Sequence, residues 1–265
     1  MESIRQLCCG KSTLPGRLND VISILGNVIT RYGTKTLSTI KMGSDEDKCT
    51  YGSFVARKLL ESASSAILAR MDPSRFLILQ EYQKRAGGDY SFYERHPASI
   101  VWSGDIVPDK AANSIWSTES SPDKFVRALL GGHLAEISWS RAIERFALDE
   151  SDRPKSLWLD DLSDIYEEKL RQFSSSEAAG TSMLGVLRAK ARENYSALSK
   201  GVHLEFVVDE TAILDSVTVV AHMLAAVRLV SQLGYLSNHM DSVFTRIETQ
   251  KAAELLFEIE ESFTQ

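Results

Sequence analysis

The chain has 265 residues, a formal net charge of −6 and 43% hydrophobic content. That much apolar material supports a buried core and excludes a disordered chain. The acidic balance excludes a global basic field, so non-specific nucleic-acid binding has no whole-molecule support, although a local basic groove stays open. Three cysteines, Cys8, Cys9 and Cys49, are too few and wrongly spaced for a disulfide scaffold or a zinc site, and Cys8-Cys9 reads as two reduced thiols rather than an acylation signal.

The N-terminal stretch MESIRQLCCGKST lacks the apolar region of a signal peptide. Gly10-Lys11-Ser12-Thr13 has the tail of a phosphate-binding loop. However, Arg5 stands where that motif needs its first glycine, and no strand precedes it. From Leu18, apolar residues recur at helical spacing (Val21, Ile22, Leu25, Val28, Ile29) until Gly33, which predicts a helix ending there and a loop over 34–48. A second helix is expected from Cys49 to Met71. Asp72-Pro73 then caps a third, Ser74 to Ala86, closed by Gly87-Gly88.

Residues 88–121 carry Tyr90, Phe92, Tyr93, Trp102 and Trp116 with little periodicity, and read as an irregular aromatic-rich insertion. Arg95-His96-Pro97 within it is a candidate binding loop or an ordinary turn. Ser121-Pro122 opens a helix to about Leu148, with a bend expected at Gly131-Gly132. After a charged linker, Ser156 to Phe173 is amphipathic, with Trp158, Leu162, Ile165, Tyr166 and Leu170 as its stripe. Ser174 to Gly180 reads as a hinge, Thr181 to Ser199 as a helix, and His203 to Asp209 as an extended connection. Ile213 to Leu236 is apolar nearly all round. It contains Asp215, His222 and Arg228, so it reads as a helix enclosed by others rather than a membrane span. Asp241 is expected to cap a last helix reaching Phe263.

The fold expected is all-α, a bundle of seven to nine helices. The domain reading places an N-terminal helical region at 1–150 and a C-terminal bundle at 151–265, in the cytoplasm.

Three constellations carry candidate chemistry. Asp160-Asp161-Leu162-Ser163-Asp164, followed by Glu167 and Glu168, places Asp160, Asp164 and Glu168 on one helix face. Clustered carboxylates can hold Mg²⁺ against a diphosphate, and the run resembles the aspartate-rich motif of all-α prenyl-diphosphate enzymes. The sequence shows no second acidic motif, and these acids sit opposite the apolar stripe, as a solvated face does. No cofactor or metal is expected. His222, in the most apolar helix, is either a hydrogen-bonded core histidine or a site element with Arg228. If that arginine is buried it needs an acid, and Glu193, Asp215 and Glu254 are the alternatives.

The third constellation pairs arginine with histidine: Arg127 with His133 and Arg192 with His203. Such a pair suits metal-independent RNA cleavage, with histidine as general acid or base and arginine stabilising phosphorane charge. Arg127-x5-His133 resembles the arginine–histidine motif of HEPN proteins, and Leu198-Ser199-x-x-Val202-His203 is similar to a helix-end pattern of HEPN-like bacterial proteins. That resemblance implies an all-α bacterial module, often a dimeric ribonuclease of toxin–antitoxin or antiviral systems. Two readings follow. One is a helical interaction or regulatory component of such an assembly, self-associating or bound to a protein partner. The other is the ribonuclease itself, acting on RNA.

Overall fold

The computed structural model describes residues 1–11, 16–74, 76–78, 80–81, 129–130, 133–148, 157–200 and 215–264. Among these, 88% are helical and none is in a strand, so the all-α expectation holds. The elements are α1 (Glu2–Cys9), α2 (Arg17–Met42), α3 (Asp45–Asp47), a π-helical turn (Lys48–Gly52), α4 (Ser53–Met71), α5 (His133–Leu148), α6 (Leu157–Gln172), α7 (Ser176–Lys200), α8 (Ser216–Ser237) and α9 (Thr249–Thr264). Helical backbone also occurs at 73–74, 76–78 and 80–81, where a helix after Asp72-Pro73 is expected, and Phe76 is buried there.

The short N-terminal helix lies at the centre. It packs against α2, α4, α8 and α9, and Ile4, Leu7 and Cys8 are fully buried. Close approach needs room on the neighbouring helices, and glycine supplies it. A Cβ on Gly33 would lie 2.9 Å from Met1 Sδ, and one on Gly234 only 3.0 Å from Leu7 Cβ. Gly33 therefore does not end α2, as its place in the sequence suggests. It makes space for α1, and the helix continues to Met42 through the stretch expected to be a loop. Thr36 supports that continuation: it is fully buried and its hydroxyl donates to Tyr32 O at 2.8 Å.

Three other boundaries move. The hinge expected over Ser174 to Gly180 shrinks to 173–175, because Ser175 Oγ accepts from Ala178 N at 3.2 Å and caps α7 at once. Asp241 does not start the last helix. It lies in a loop over 238–248, and α9 begins at Thr249, with Ala252 N donating to Glu248 O. The apolar helix starts at Ser216, not Ile213, because the Asp215 carboxylate accepts from Thr218 N at 2.8 Å and fixes the N-cap. Its enclosure is complete only from Leu229 to Ser237, which are all buried; before that it is one-sided, with Val219, Met223, Ala226 and Val227 buried and Val217, Thr218, Ala221 and Arg228 exposed. Of the described helices this one alone is long and apolar enough to cross a membrane by composition, and its buried half packs inside the bundle instead.

In the C-terminal half, Trp139, Ile143 and Phe146 of α5, Leu162 and Tyr166 of α6, and Met183, Leu184 and Leu187 of α7 are buried together. The stripe expected on α6 is seen at Leu162 and Tyr166, with Ile165 and Leu170 packed at its edge. Helix α7 also touches α4 and α8, and one apolar cluster runs from Ile4 to Ile259. The insertion 88–121, the Gly131-Gly132 bend, the 149–154 linker and the 203–209 connection lie outside the described residues.

Candidate functional site

The most constrained polar group is Arg70, on the last turn of α4. Its surface is fully buried, on the same helical face as Ala63 and Ile67. The guanidinium donates from Nε to Phe244 O at 3.0 Å. One terminal nitrogen reaches Leu7 O at 2.9 Å, Cys8 O at 3.4 Å and Ser237 Oγ at 3.3 Å, and the other reaches Asn238 Oδ1 at 2.9 Å. None of these acceptors is a carboxylate. Leu7 and Cys8 supply two of the carbonyls that every helix leaves unpaired at its C-terminus, the negative end of the α1 dipole. Burial pushes the Arg70 pKa down to about 10, while charge at Cys8 and Cys9 acts the other way. The group thus stays cationic at neutral pH, in a cage of neutral oxygens. Burial also raises both neighbouring thiols, Cys9 to about 12, so neither is a thiolate nucleophile at neutral pH.

This cage fixes the 238–248 loop. Phe244 N donates back to Arg70 O at 3.0 Å. The Asn238 side chain accepts from Ile247 N at 3.0 Å and donates to Gly234 O at 2.8 Å. Thr245 sits at φ 57°, an uncommon place for a β-branched residue, held by Lys11 N donating to Thr245 O at 2.9 Å and by its own hydroxyl donating to Cys9 O at 3.2 Å. Gly10 faces it at φ 73°, where a Cβ would overlap Thr245. The glycine of the phosphate-loop-like run is therefore needed for packing against Thr245. On the outside of the loop, Phe244 is 48% exposed. Arg145 of α5 donates to Asp241 Oδ1 at 2.6 Å and to His239 O at 3.1 Å, and that hydrogen bond holds the Asp241 carboxyl below its usual range.

A second polar group joins α4 and α7. Arg57 donates to Glu61 Oε1 at 3.0 Å and to the Tyr195 hydroxyl at 2.8 Å. Tyr195 donates to Glu61 at 3.1 Å, and Lys58 holds the other Glu61 oxygen at 3.0 Å. The Arg57 guanidinium carbon also lies 4.9 Å from the Tyr195 ring centre. Burial works to raise the Glu61 pKa, but Lys58 and Arg57 outweigh it and the carboxylate stays ionised. One residue away, the buried Asn194 amide grips α8, with its nitrogen 3.1 Å from His222 O and 3.2 Å from His222 Nδ1, and its oxygen 3.0 Å from Ala226 N. His222 is thus a hydrogen-bonded, partly buried residue at a helix crossing. Arg228 is exposed, so the buried arginine is Arg70 and not the one the apolar stretch suggests.

Of the other expected site residues, Arg127, His203, Val202 and the Arg95-His96-Pro97 loop lie outside the described residues. His133 is the first residue of α5, with its side chain outside the description. Arg192 is exposed on α7, Leu198 is buried, and Ser199 donates to Tyr195 O. Asp160, Asp161, Asp164, Glu167 and Glu168 are all exposed on α6, around a shallow depression edged by Asp164 and Glu168. Among the described residues no group of three or more histidine, cysteine or acidic side chains is placed to hold a metal.

At the opposite end of α4 lies an apolar surface. Met42 is 80% exposed, Tyr51 58%, Phe54 39% and Val217 77%, where α2 ends and α4 and α8 begin. Phe54 packs edge-on to Tyr32, with ring centres 6.0 Å apart, over a small core of Val55, Ala56, Leu198, Val219, Met223 and Ala226.

No family model, no curated protein and no solved structure matches this chain.

Proposed function

We propose that the chain is a helical interaction or regulatory component, joined to a protein partner through the end of the bundle where Met42, Tyr51, Phe54 and Val217 are exposed. That surface is the observation that carries the reading. Large apolar side chains exposed at one end of the bundle lose free energy when a partner covers them, and exposed apolar surface of this kind is a common feature of contact sites. The polar groups described above support it, because they spend their hydrogen bonds on fixing one helix against another. The HEPN resemblance supports a bacterial defence or toxin–antitoxin assembly as the setting.

The test is co-purification with the products of adjacent genes, comparing wild type with Met42→Glu/Val217→Glu at matched thermal stability. A partner retained by wild type and lost by the variant is the expected result. Equal retention, or a partner released by neither, sinks the reading. The ribonuclease alternative is separated by incubating wild type, His133→Ala and His203→Ala with RNA in EDTA. The interaction reading expects intact RNA throughout.

A further inference from the structure

The 238–248 loop combines three features. Its backbone is held from beneath by Arg70 and Asn238, through the strained Thr245. It presents an aromatic ring, Phe244. It also gathers surplus positive charge: Arg141, Arg145 and Arg246 all act on the Asp241 carboxylate, but only Arg145 makes a close pair with it, and Arg246 stands off at 3.9 Å. The other acids nearby are engaged. Glu144 accepts from Ser176, and Glu248 pairs with Lys11 at 3.4 Å. Among the described residues no further carboxylate pairs with Arg141 or Arg246, and both are exposed. Arginine and aromatic side chains on a pre-formed surface are what dominant binding residues are made of, because little ordering entropy remains to be lost.

We infer that this loop, with the adjoining face of α5, is a second recognition surface, and that it takes an acidic protein segment. Carboxylates of that segment would pair with Arg246 and Arg141, and an apolar side chain would lie on Phe244. Charge complementarity argues for the class of partner. A guanidinium fork binds a carboxylate with two parallel hydrogen bonds, as Arg145 already does with Asp241.

The experiment is fluorescence anisotropy on the full chain with two labelled probes: a ten-residue peptide of alternating glutamate and leucine, and a ten-nucleotide oligouridylate. The expected result is peptide binding that weakens at least tenfold in Arg141→Glu/Arg246→Glu, at least threefold in Phe244→Ala, and progressively with added salt. Met42→Glu/Val217→Glu is expected to bind the peptide like wild type, which separates this surface from the apolar end. Circular dichroism establishes that each variant is folded. Preference for the oligonucleotide, equal peptide binding by wild type and the arginine variant, or no peptide binding at millimolar concentration overturns the inference.

Discussion

Arg70 and Leu7 are joined across 63 positions of sequence by a 2.9 Å hydrogen bond from a buried guanidinium to the last-turn carbonyl of α1. A cation in that position is favourable only while the carbonyls stay in place, and the carbonyls are satisfied only while the cation does. Arg70→Ala removes every donor at once and leaves buried oxygens bare, which costs about 1–3 kcal/mol for each group left unsatisfied. The expected loss is about 3 kcal/mol or more in urea unfolding, with Arg70→Lys intermediate because one ammonium cannot reach all five acceptors. A loss below about 1 kcal/mol for Arg70→Ala would contradict the cage.

The opposed pair Gly10 and Thr245 gives a second prediction. Gly10→Ala forces both a positive φ and a collision with Thr245, so it is expected to destabilise by more than the roughly 1 kcal/mol of an ordinary loop substitution. Thr245→Asn keeps a polar side chain and relieves the left-handed strain, and is expected to be neutral or to stabilise by up to about 1 kcal/mol. Thermal denaturation reads both, and opposite signs are the expected pattern.

Thiol chemistry supplies a third. Cys8 and Cys9 are buried, whereas Cys49 is half-buried. A thiol-specific chromophoric reagent at pH 8 is expected to label the folded chain at Cys49 alone and to reach all three thiols after unfolding. The two buried thiols also set an alkaline limit. Their folded pKa values lie above the ordinary 9.0, so the protonated form is favoured in the native state. Stability from this source is complete below pH 9 and falls as pH rises from 9 through about 12. Serine at both positions is expected to remove that loss.

Glu61 sets the corresponding acid limit. Its folded pKa lies below the ordinary 4.5, so its contribution is present above that pH and declines as pH falls further. Tyr195→Phe removes the hydroxyl that Arg57 and Glu61 share, which is expected to cost about 1–2 kcal/mol at pH 7. Because Glu61 keeps Lys58 and Arg57, its share of the acid limb should persist in this variant and should be lost in Glu61→Gln, leaving the part that Asp241 and the other hydrogen-bonded carboxylates contribute. Denaturation midpoints from pH 3 to 7 test the difference.

Helix class was legible in the sequence because α2 and α6 carry clear apolar periodicity and α8 is a long apolar run behind Asp215. The α6 stripe at Leu162 and Tyr166, and its solvated acids at Asp160 and Asp164, could be read from spacing alone. Tertiary contacts were not legible. Gly33 looks like a stop signal until Met1 lies against it, and nothing local marks α1 as a central helix, since Glu2, Arg5 and Gln6 interrupt its apolar residues. Arg70 left a trace: it follows Ala63 and Ile67 at helical spacing, so a cation falls on a core face. His222 and Arg228 stand out because they sit in the most apolar segment, yet they lie off its buried face, His222 partly buried and Arg228 exposed, and the polar node formed where α4 ends.

The depth of α1 has a consequence for biosynthesis. Ser3 donates to Glu258 at 2.6 Å across 255 positions, and α9 forms one wall of the slot that α1 fills. Helix α1 leaves the ribosome long before α9 and therefore waits for it to find its place. Until α9 emerges, Ile4 and Leu7 lack part of their shelter, and a nascent chain stalled before residue 249 would offer them to chaperones.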